Sequence, residues 1–250
     1  MAALASARME EEARWRHRGE KIGWRVHPTH APRVKICCIT SIAEAELAVR
    51  SGAAAVGLVT AMPSGPGVIA EAQIAAIAAR VPPGVSSFLL TSLLEPEAII
   101  AQQRRCRTNT LQIVDRLDHG AYRPLREALP GIGLVQVIHI TGPGSLDEAL
   151  AVAPYVDARL LDSGNQAAPI KELGGTGRVH DWATSRAIRE AVAVPVYLAG
   201  GLTPENVGLA IEQVAPFGLD VCTGVRTSGR LDEARLARFM TQVHAAAMVP

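Results

Sequence analysis

The sequence Arg159-Leu160-Leu161-Asp162-Ser163 contains a short apolar run, Leu160-Leu161, that leads to the carboxylate of Asp162. A polar segment follows and leads to Gly174-Gly175-Thr176-Gly177, and a helical pattern begins at Asp181-Trp182. A strand that carries an acid to its carboxyl end, followed by a glycine-rich loop, is the layout of a phosphate-binding catalytic site. The stretch Ala158–Trp182 therefore predicts both a βα unit and a site.

The same unit recurs along the chain from Arg33 onward. Eight short apolar runs predict strands: Val34–Thr40, Ala54–Thr60, Val85–Leu90, Thr110–Val114, Ile132–Ile140, Ala158–Asp162, Val194–Ala199 and Leu219–Thr223. A helical pattern follows each run, over Ile42–Arg50, Ala70–Arg80, from about Glu95, over Tyr122–Leu129, Ser145–Ala153 and Trp182–Ala191, from Thr203, and over Asp232–Ala247. The runs are mostly continuous rather than alternating, which is typical of parallel strands buried on both faces.

Eight such units in about 215 residues predict an α/β protein with a single-domain (β/α)8 TIM barrel. The competing architecture is a doubly wound open sheet, but its glycine fingerprint is missing after the first strand. We expect the barrel to span residues 33–250, with an N-terminal extension over residues 1–32. The extension contains a charged helical pattern, Ala2–Arg18, and two tryptophans, Trp15 and Trp24. It is either a frayed extension or the product of an upstream start codon, or its tryptophans dock on the barrel or on a partner subunit.

Composition limits the class of protein. The chain has 250 residues, of which 48% are hydrophobic and 20% charged, and its net charge of +1 gives no attraction to nucleic acid. Aromatic residues make up only 4% and do not alternate with basic ones, as a base-stacking surface would need. No run approaches the roughly eighteen apolar residues of a membrane span. We therefore expect neither a nucleic-acid nor a membrane partner.

The cysteines indicate a reducing environment. The four, Cys37, Cys38, Cys106 and Cys222, lack the spacing of metal ligands, and neighbours in sequence cannot form an ordinary disulfide. No secretory pattern precedes them, so a cytoplasmic protein without a metal site is expected.

The first strand places a cysteine where barrel enzymes keep reactive groups, at the carboxyl end of a strand. Period-two alternation puts Lys35 and Cys37 on one face and Ile36 and Cys38 on the other. A buried thiol is most often a small hydrophobe, but a neighbouring cation favours thiolate at Cys37. Cys37 is thus a candidate general base.

Asp162 ends the sixth strand and either caps a loop amide or complements Cys37 in acid–base work. Glycine runs follow the last three strands, at Gly174-Gly175-Thr176-Gly177, Gly200-Gly201 and Thr223-Gly224. Consecutive backbone N–H groups in such loops bind phosphate, and the phosphate site of this fold lies after strands 7 and 8. These glycines and threonines are the candidate phosphate ligands.

Together these motifs resemble the phosphoribosylanthranilate isomerase family of tryptophan biosynthesis. The residues that carry the resemblance are Val34-Lys35-Ile36-Cys37-Cys38-Ile39-Thr40, Leu160-Leu161-Asp162-Ser163, Gly174-Gly175-Thr176-Gly177 with Asp181-Trp182, Ala199-Gly200-Gly201-Leu202-Thr203-Pro204-Glu205-Asn206-Val207, and Asp220-Val221-Cys222-Thr223-Gly224-Val225. The resemblance runs from about Arg33 to the C-terminus. It implies a (β/α)8 barrel, no metal or organic cofactor, a phosphosugar substrate, and an Amadori rearrangement of an aminoaldose phosphate in a monomer or homodimer.

By this resemblance, Asp162 is the general acid that opens the furanose ring and Cys37 the general base that removes the proton from C2. The two groups must begin with opposite protonation, Asp162 protonated and Cys37 deprotonated. Lys35, Gln112 and Arg226 are further candidates for substrate contacts.

The sequence departs from the family pattern at three places. Cys38 stands where the family has glycine. The loop after strand 2, residues 61–67, carries no cation, whereas the family has an arginine there that binds the anthranilate carboxylate. After strand 4 the family's Gln-Leu-His-Gly is replaced by Gln112-Ile113-Val114-Asp115. Arg226 could replace the missing carboxylate contact, bind phosphate, or be solvated. Three hypotheses follow: the isomerase itself, a paralogue acting on a different amine, and a non-catalytic phosphosugar-binding barrel.

Overall fold

A computed structural model describes residues 31–142, 144–164, 171–173 and 177–247. Eight parallel strands form a closed barrel in sequence order: β1 (Arg33–Ile36), β2 (Ala55–Val59), β3 (Ser86–Thr91), β4 (Thr110–Ile113), β5 (Gly133–His139), β6 (Ala158–Asp162), β7 (Val196–Leu198) and β8 (Gly218–Val221). A helix follows each strand: α1 (Ile42–Arg50), α2 (Glu71–Ala78), α3 (Pro96–Cys106), α4 (Tyr122–Ala128), α5 (Gly144–Val152), α6 (Trp182–Ala191), α7 (Val207–Val214) and α8 (Glu233–Ala247). Between β8 and α8 the chain forms a short antiparallel ribbon, β9 (Arg226–Thr227) with β10 (Arg230–Leu231).

Pairing between the first and last strands closes the barrel. β1 pairs in parallel with β2 on one side and with β8 on the other, with Arg33 opposite Gly218 and Ile36 opposite Val221. An open sheet would leave both of these edges unpaired. The prediction of a (β/α)8 barrel is therefore confirmed, and the doubly wound alternative is wrong.

The predicted elements differ from the structure mainly at their ends. The largest difference follows β7, where the helix was expected from Thr203 but begins at Val207. The backbone N–H groups of Asn206 and Val207 both donate to the carbonyl of Thr203. The Asn206 side chain in turn accepts from the Thr203 N–H and donates to the Gly201 carbonyl. These bonds form a turn that fixes the loop after β7 to the start of α7.

Alternation along the strands divides the core into two layers. On β6, Leu160 points into the barrel, whereas Leu161 packs outward against the helices. Ile36 likewise belongs to the outer layer and Cys37 to the inner one. Cys37 and Lys35 were predicted to share the inner face of the barrel. Both side chains approach Gly57, because a Cβ at that residue would lie 2.8 Å from Cys37 Sγ and 3.0 Å from Lys35 Nζ. The prediction is consistent with this arrangement.

Cys38 breaks the alternation, and its predicted position was wrong. The strand ends at Ile36, and Cys38 has a φ of +61°. This left-handed conformation turns its side chain back to the inner layer, beside Cys37, instead of to the opposite face. A side chain in this conformation costs roughly 1–2 kcal/mol, and glycine avoids the cost. The turn at Cys38 thus explains physically why glycine suits this position.

Two sequence predictions lie outside the described residues: the helix Ala2–Arg18 and the segment Gly174-Gly175-Thr176. The proposed division into an extension and a barrel stays a prediction for the same reason. Among the helices that the structure describes, none is long and apolar enough to cross a membrane.

Candidate functional site

A cavity opens at the carboxyl ends of the strands and encloses about 640 Å³, counting the space open to solvent. Cys37 and Asp162 both line it, from the ends of β1 and β6. In a closed barrel only β7 and β8 separate these strands on the shorter side. The fold therefore brings a thiol and a carboxyl group, 125 residues apart in sequence by their numbers, to one cavity.

The surroundings of Cys37 favour its thiolate. The thiol is 6% exposed, and its pKa is lowered from the ordinary value. A hydrogen bond with the Cys38 side chain is the main cause, burial and the Asp220 charge act against it, and the Lys35 ammonium adds to it. A cation and a hydrogen-bond donor stabilise negative charge on sulfur, as a general base requires.

Lys35 lies beneath the cavity rather than on its wall. Its side chain is fully buried, its Nζ lies 2.8 Å from Asp220 Oδ2, and the same atom lies 5.3 Å from the centre of the Phe88 ring. Burial lowers the pKa of Lys35, but the Asp220 carboxylate and Cys37 raise it by more, so that the amine stays charged. From this position Lys35 stabilises negative charge on Cys37, and its substrate contact stays a prediction.

Asp220 is a functional candidate that the sequence interpretation quoted within a motif but gave no role. It lines the cavity, and its Oδ1 is buried without a hydrogen-bond partner, while its Oδ2 accepts from Lys35. Burial raises its pKa, Lys35 opposes that change, and the nearby Asp162 charge adds to it. A carboxylate inside an otherwise apolar strand was the signal that could have identified it.

Asp162 ends β6 with its side chain 9% exposed. Its Oδ1 accepts a 2.7 Å hydrogen bond from the backbone N–H of Ser163, which is the local amide cap that one interpretation expected. Because the same carboxyl also lines the cavity, the cap orients it without removing it from the site.

The glycine loops converge on one side of the cavity. Gly177, Gly200, Gly201 and Thr223 line it, whereas Gly224 supports it from behind. Gly200 and Gly201 have φ values of +80° and +62°, which only glycine adopts without strain. A Cβ at Gly201 would lie 2.6 Å from the carbonyl carbon of Arg178, so the loop after β6 packs directly on the loop after β7. A Cβ at Gly224 would overlap the Leu202 carbonyl oxygen.

The opposite side of the cavity is largely apolar. Its wall consists of Val59, Leu90, Leu173 and the loop after β2, which contributes Met62, Ser64, Gly65 and Pro66. Gln112 also lines the cavity, and its Oε1 is buried without a partner. Among the lining residues that the structure describes, none is basic. Lys171, whose carbonyl accepts from Ser64, directs its Nζ to Asp115 at 2.6 Å.

Arg226 is buried and bonded to its neighbours, so the interpretation of a solvated side chain is wrong, whereas its two substrate roles stay predictions. It is 8% exposed, not solvated, and does not line the cavity. Its guanidinium forms an ion pair with Glu44 at 2.8 Å and donates to the carbonyls of Cys37 and Cys38 at 3.1 and 2.5 Å. Because these bonds consume its terminal N–H groups, Arg226 fixes the turn after β1 and holds Cys37 in place.

Comparison with known proteins identifies the family. Residues 34–242 match the family model described as N-(5'-phosphoribosyl)anthranilate (PRA) isomerase. The N-(5'-phosphoribosyl)anthranilate isomerase of Methanocella arvoryzae is 35% identical over 217 residues, which cover 84% of this chain and 97% of that protein. The chain belongs to the phosphoribosylanthranilate isomerase family.

Solved structures of phosphoribosylanthranilate isomerases share the fold. The enzyme from Thermotoga maritima superposes with a TM-score of 0.74 at 29% identity, over 86% of this chain and 99% of that one. A second, solved in complex with reduced 1-(o-carboxyphenylamino)-1-deoxyribulose 5-phosphate, gives a TM-score of 0.72 at 27% identity, over 86% and 99% of the two chains. Within the described part of this family member, no group of three or more histidine, cysteine or acidic side chains is arranged to hold a metal ion.

Proposed function

We propose that the chain isomerises N-(5-phosphoribosyl)anthranilate to the corresponding 1-amino-1-deoxyketose phosphate, a step of tryptophan biosynthesis. Family membership supports this activity. The observation that carries it is the presence of Cys37 and Asp162 on one cavity, with the glycines after β6 and β7 and Thr223 on the same wall. A base, an acid and a phosphate-binding wall are the three parts that the reaction needs.

Asp162 performs the first proton transfer in this proposal. As the neutral acid it gives its proton to the furanose ring oxygen while the C1–O bond breaks. The nitrogen lone pair forms the C1=N bond of a protonated Schiff base. The amide cap of Ser163 then stabilises the carboxylate that remains.

Cys37 performs the second transfer. Its thiolate takes the proton from C2, and the released electron pair forms a C1=C2 bond as the C=N electrons return to nitrogen. The resulting enolamine becomes the ketose when C1 gains a proton and the C2 hydroxyl loses one. Cys37 then releases its proton to solvent and Asp162 takes one up, so that the protons balance and both groups return to their starting states. The charge that Cys37 carries before the transfer is supported by Lys35 beneath it.

Phosphate binding would hold the sugar between these two groups. Gly177, Gly200, Gly201 and Thr223 line the cavity, so their backbone N–H groups and the Thr223 hydroxyl are the proposed phosphate donors. The test is conversion of N-(5-phosphoribosyl)anthranilate by the purified chain, followed by chromatography of the product, together with rescue of a tryptophan auxotroph that lacks the isomerase. A folded protein that neither converts the substrate nor rescues growth contradicts the proposal.

A second candidate is the same rearrangement on an aminoaldose phosphate whose amine has no carboxylate. The observation that favours it is the apolar amine side of the cavity, where no described lining residue is basic. A buried carboxylate without a cation or strong donors is costly. Measuring kcat/KM for the anthranilate substrate and for its aniline counterpart separates the two candidates, because the second predicts a preference for the uncharged amine. The cytoplasmic location and the monomer or homodimer stay predictions.

A further inference from the structure

Two thiols that the proposed reaction does not consume lie side by side at the cavity. Cys38 follows β1 and Cys222 follows β8, and these neighbouring strands are in register at Ile36 and Val221. The Cys38 and Cys222 Sγ atoms are 2.7 Å apart. Both residues line the cavity, and Cys222 is partly exposed. A small solute that enters the cavity therefore reaches this pair.

The positions of the two sulfurs suit a covalent bond between them. The carboxyl ends of β1 and β8 are held together next to both residues by a 2.8 Å hydrogen bond from the Cys37 N–H to the Val221 carbonyl. The two sulfurs already face each other, and a disulfide requires a further approach to about 2.05 Å. Cys106 offers no alternative partner, because it is fully buried in the outer core at the end of α3.

The left-handed turn is what creates this pair. With ordinary strand alternation, Cys38 would point outward among the helices, away from Cys222. Its φ of +61° turns the thiol inward, and Arg226 holds that turn by donating to the Cys38 carbonyl. Cys38 keeps a side chain at a strained position where glycine would avoid the cost, and a chemical role for its thiol explains this.

We propose that Cys38 and Cys222 form a reversible disulfide when the protein meets a peroxide. The Cys222 thiol loses its proton to solvent, and its thiolate attacks one peroxide oxygen. The O–O bond breaks, hydroxide leaves, and a sulfenic acid forms. The Cys38 sulfur attacks the sulfenic sulfur, the S–O bond breaks, and the leaving hydroxide takes the Cys38 proton as water. Two thiols and one hydrogen peroxide thus give one disulfide and two water molecules.

The Cys38–Cys222 disulfide would also change the surroundings of Cys37 and the cavity wall. The Cys38 thiol is the hydrogen-bond partner that most favours thiolate at Cys37. A disulfide has no S–H to donate, and it shifts the wall next to Thr223. If the proposed isomerase activity is right, oxidation therefore lowers turnover, and a dithiol reductant restores it. This consequence rests on the proposed function, whereas the disulfide itself does not.

The test is a mass measurement on the full chain. Protein treated with about one equivalent of hydrogen peroxide is alkylated and digested with trypsin, which cleaves after Lys35 and after Arg50. The expected product is a peptide containing Cys38 linked to one containing Cys222, lighter than the two free peptides by two hydrogen atoms. Because the first peptide also contains Cys37, the variants Cys37→Ser and Cys38→Ser assign the bond.

The linked peptide should persist in Cys37→Ser and in the control Cys106→Ser, and it should vanish in Cys38→Ser and Cys222→Ser. A link that needs Cys37, or no link at a peroxide dose that oxidises Cys37, overturns the proposal. In the turnover assay, Cys222→Ser should lose less of its own activity than the natural chain at the same dose. Equal losses would show that the bond does not control activity. An inactive chain that still forms the link would refute the isomerase function but not the disulfide.

Discussion

Replacing Lys35 with methionine should destabilise the barrel strongly. The Lys35–Asp220 pair is buried, with side chains 0% and 8% exposed, and Asp220 already has one oxygen without a partner. Removing one member of a buried pair typically costs about 3–5 kcal/mol, because the other charge stays uncompensated. For a chain of this size that corresponds to a melting temperature lower by about 6–20 °C.

Urea unfolding of three variants tests this prediction. Lys35→Met should lose the full amount, and Lys35→Met combined with Asp220→Leu should recover most of it, because an apolar pair removes the stranded charge. The exposed pair Arg186–Glu190 is the matched control, since Arg186→Met should cost less than about 0.5 kcal/mol. The free energy of unfolding lost in Lys35→Met should shrink as the pH falls toward 3.8, the ordinary pKa of an aspartate. At that pH Asp220 is protonated in the unfolded chain as well as in the folded variant. A loss below about 1 kcal/mol at neutral pH, or a double variant no better than the single one, would refute the electrostatic account.

Three further predictions follow from the site. Cys38→Ala removes the hydrogen bond that lowers the pKa of Cys37, so the acidic limb of the kcat/KM profile should move to higher pH; an unchanged limb would contradict this. Gly224→Ala should cost about 2 kcal/mol or more in urea unfolding, because its Cβ overlaps a carbonyl oxygen, whereas Gly208→Ala in open space on α7 should stabilise by about 0.5–1 kcal/mol. Arg226→Met should destabilise by roughly 1–3 kcal/mol, since the partly buried Glu44 loses its ion-pair partner and the Cys37 and Cys38 carbonyls lose their donor, and a loss near zero would contradict this.

Strand positions were predictable because each strand is buried on both faces and is therefore mostly apolar. The carboxyl end of β1 shows that apolar composition does not predict where a strand ends. Val34–Thr40 is one apolar run, but pairing with β8 stops at Ile36, and Cys38 then turns left-handed. Apolar composition does not reveal a positive φ. The family's preference for glycine at this position was the only signal.

The candidate site was predictable for residues whose position does not depend on a partner elsewhere in the sequence. Cys37, Asp162, Gly177, Gly200 and Gly201 line the cavity because the fold directs strand ends and the loops after them there. The ion pairs of Arg226 and Lys35 were not predicted, because their partners, Glu44 and Asp220, are 182 and 185 residues away in sequence. Partners of buried charges are set by the folded arrangement, and a single sequence does not specify them.

The central claim is that Cys37 and Asp162 act as base and acid on a substrate held by other groups. The most direct measurement compares turnover and binding of a reduced product analogue in Cys37→Ser and Asp162→Asn, with Cys106→Ser as the control. General acid–base groups typically contribute 10²–10⁴-fold, so both variants should lose at least about that factor in kcat. Their Kd for the analogue should stay within about threefold of the natural chain, because the phosphate-binding wall is untouched. A variant that retains kcat, or that loses turnover only in proportion to lost binding, would contradict the assignment.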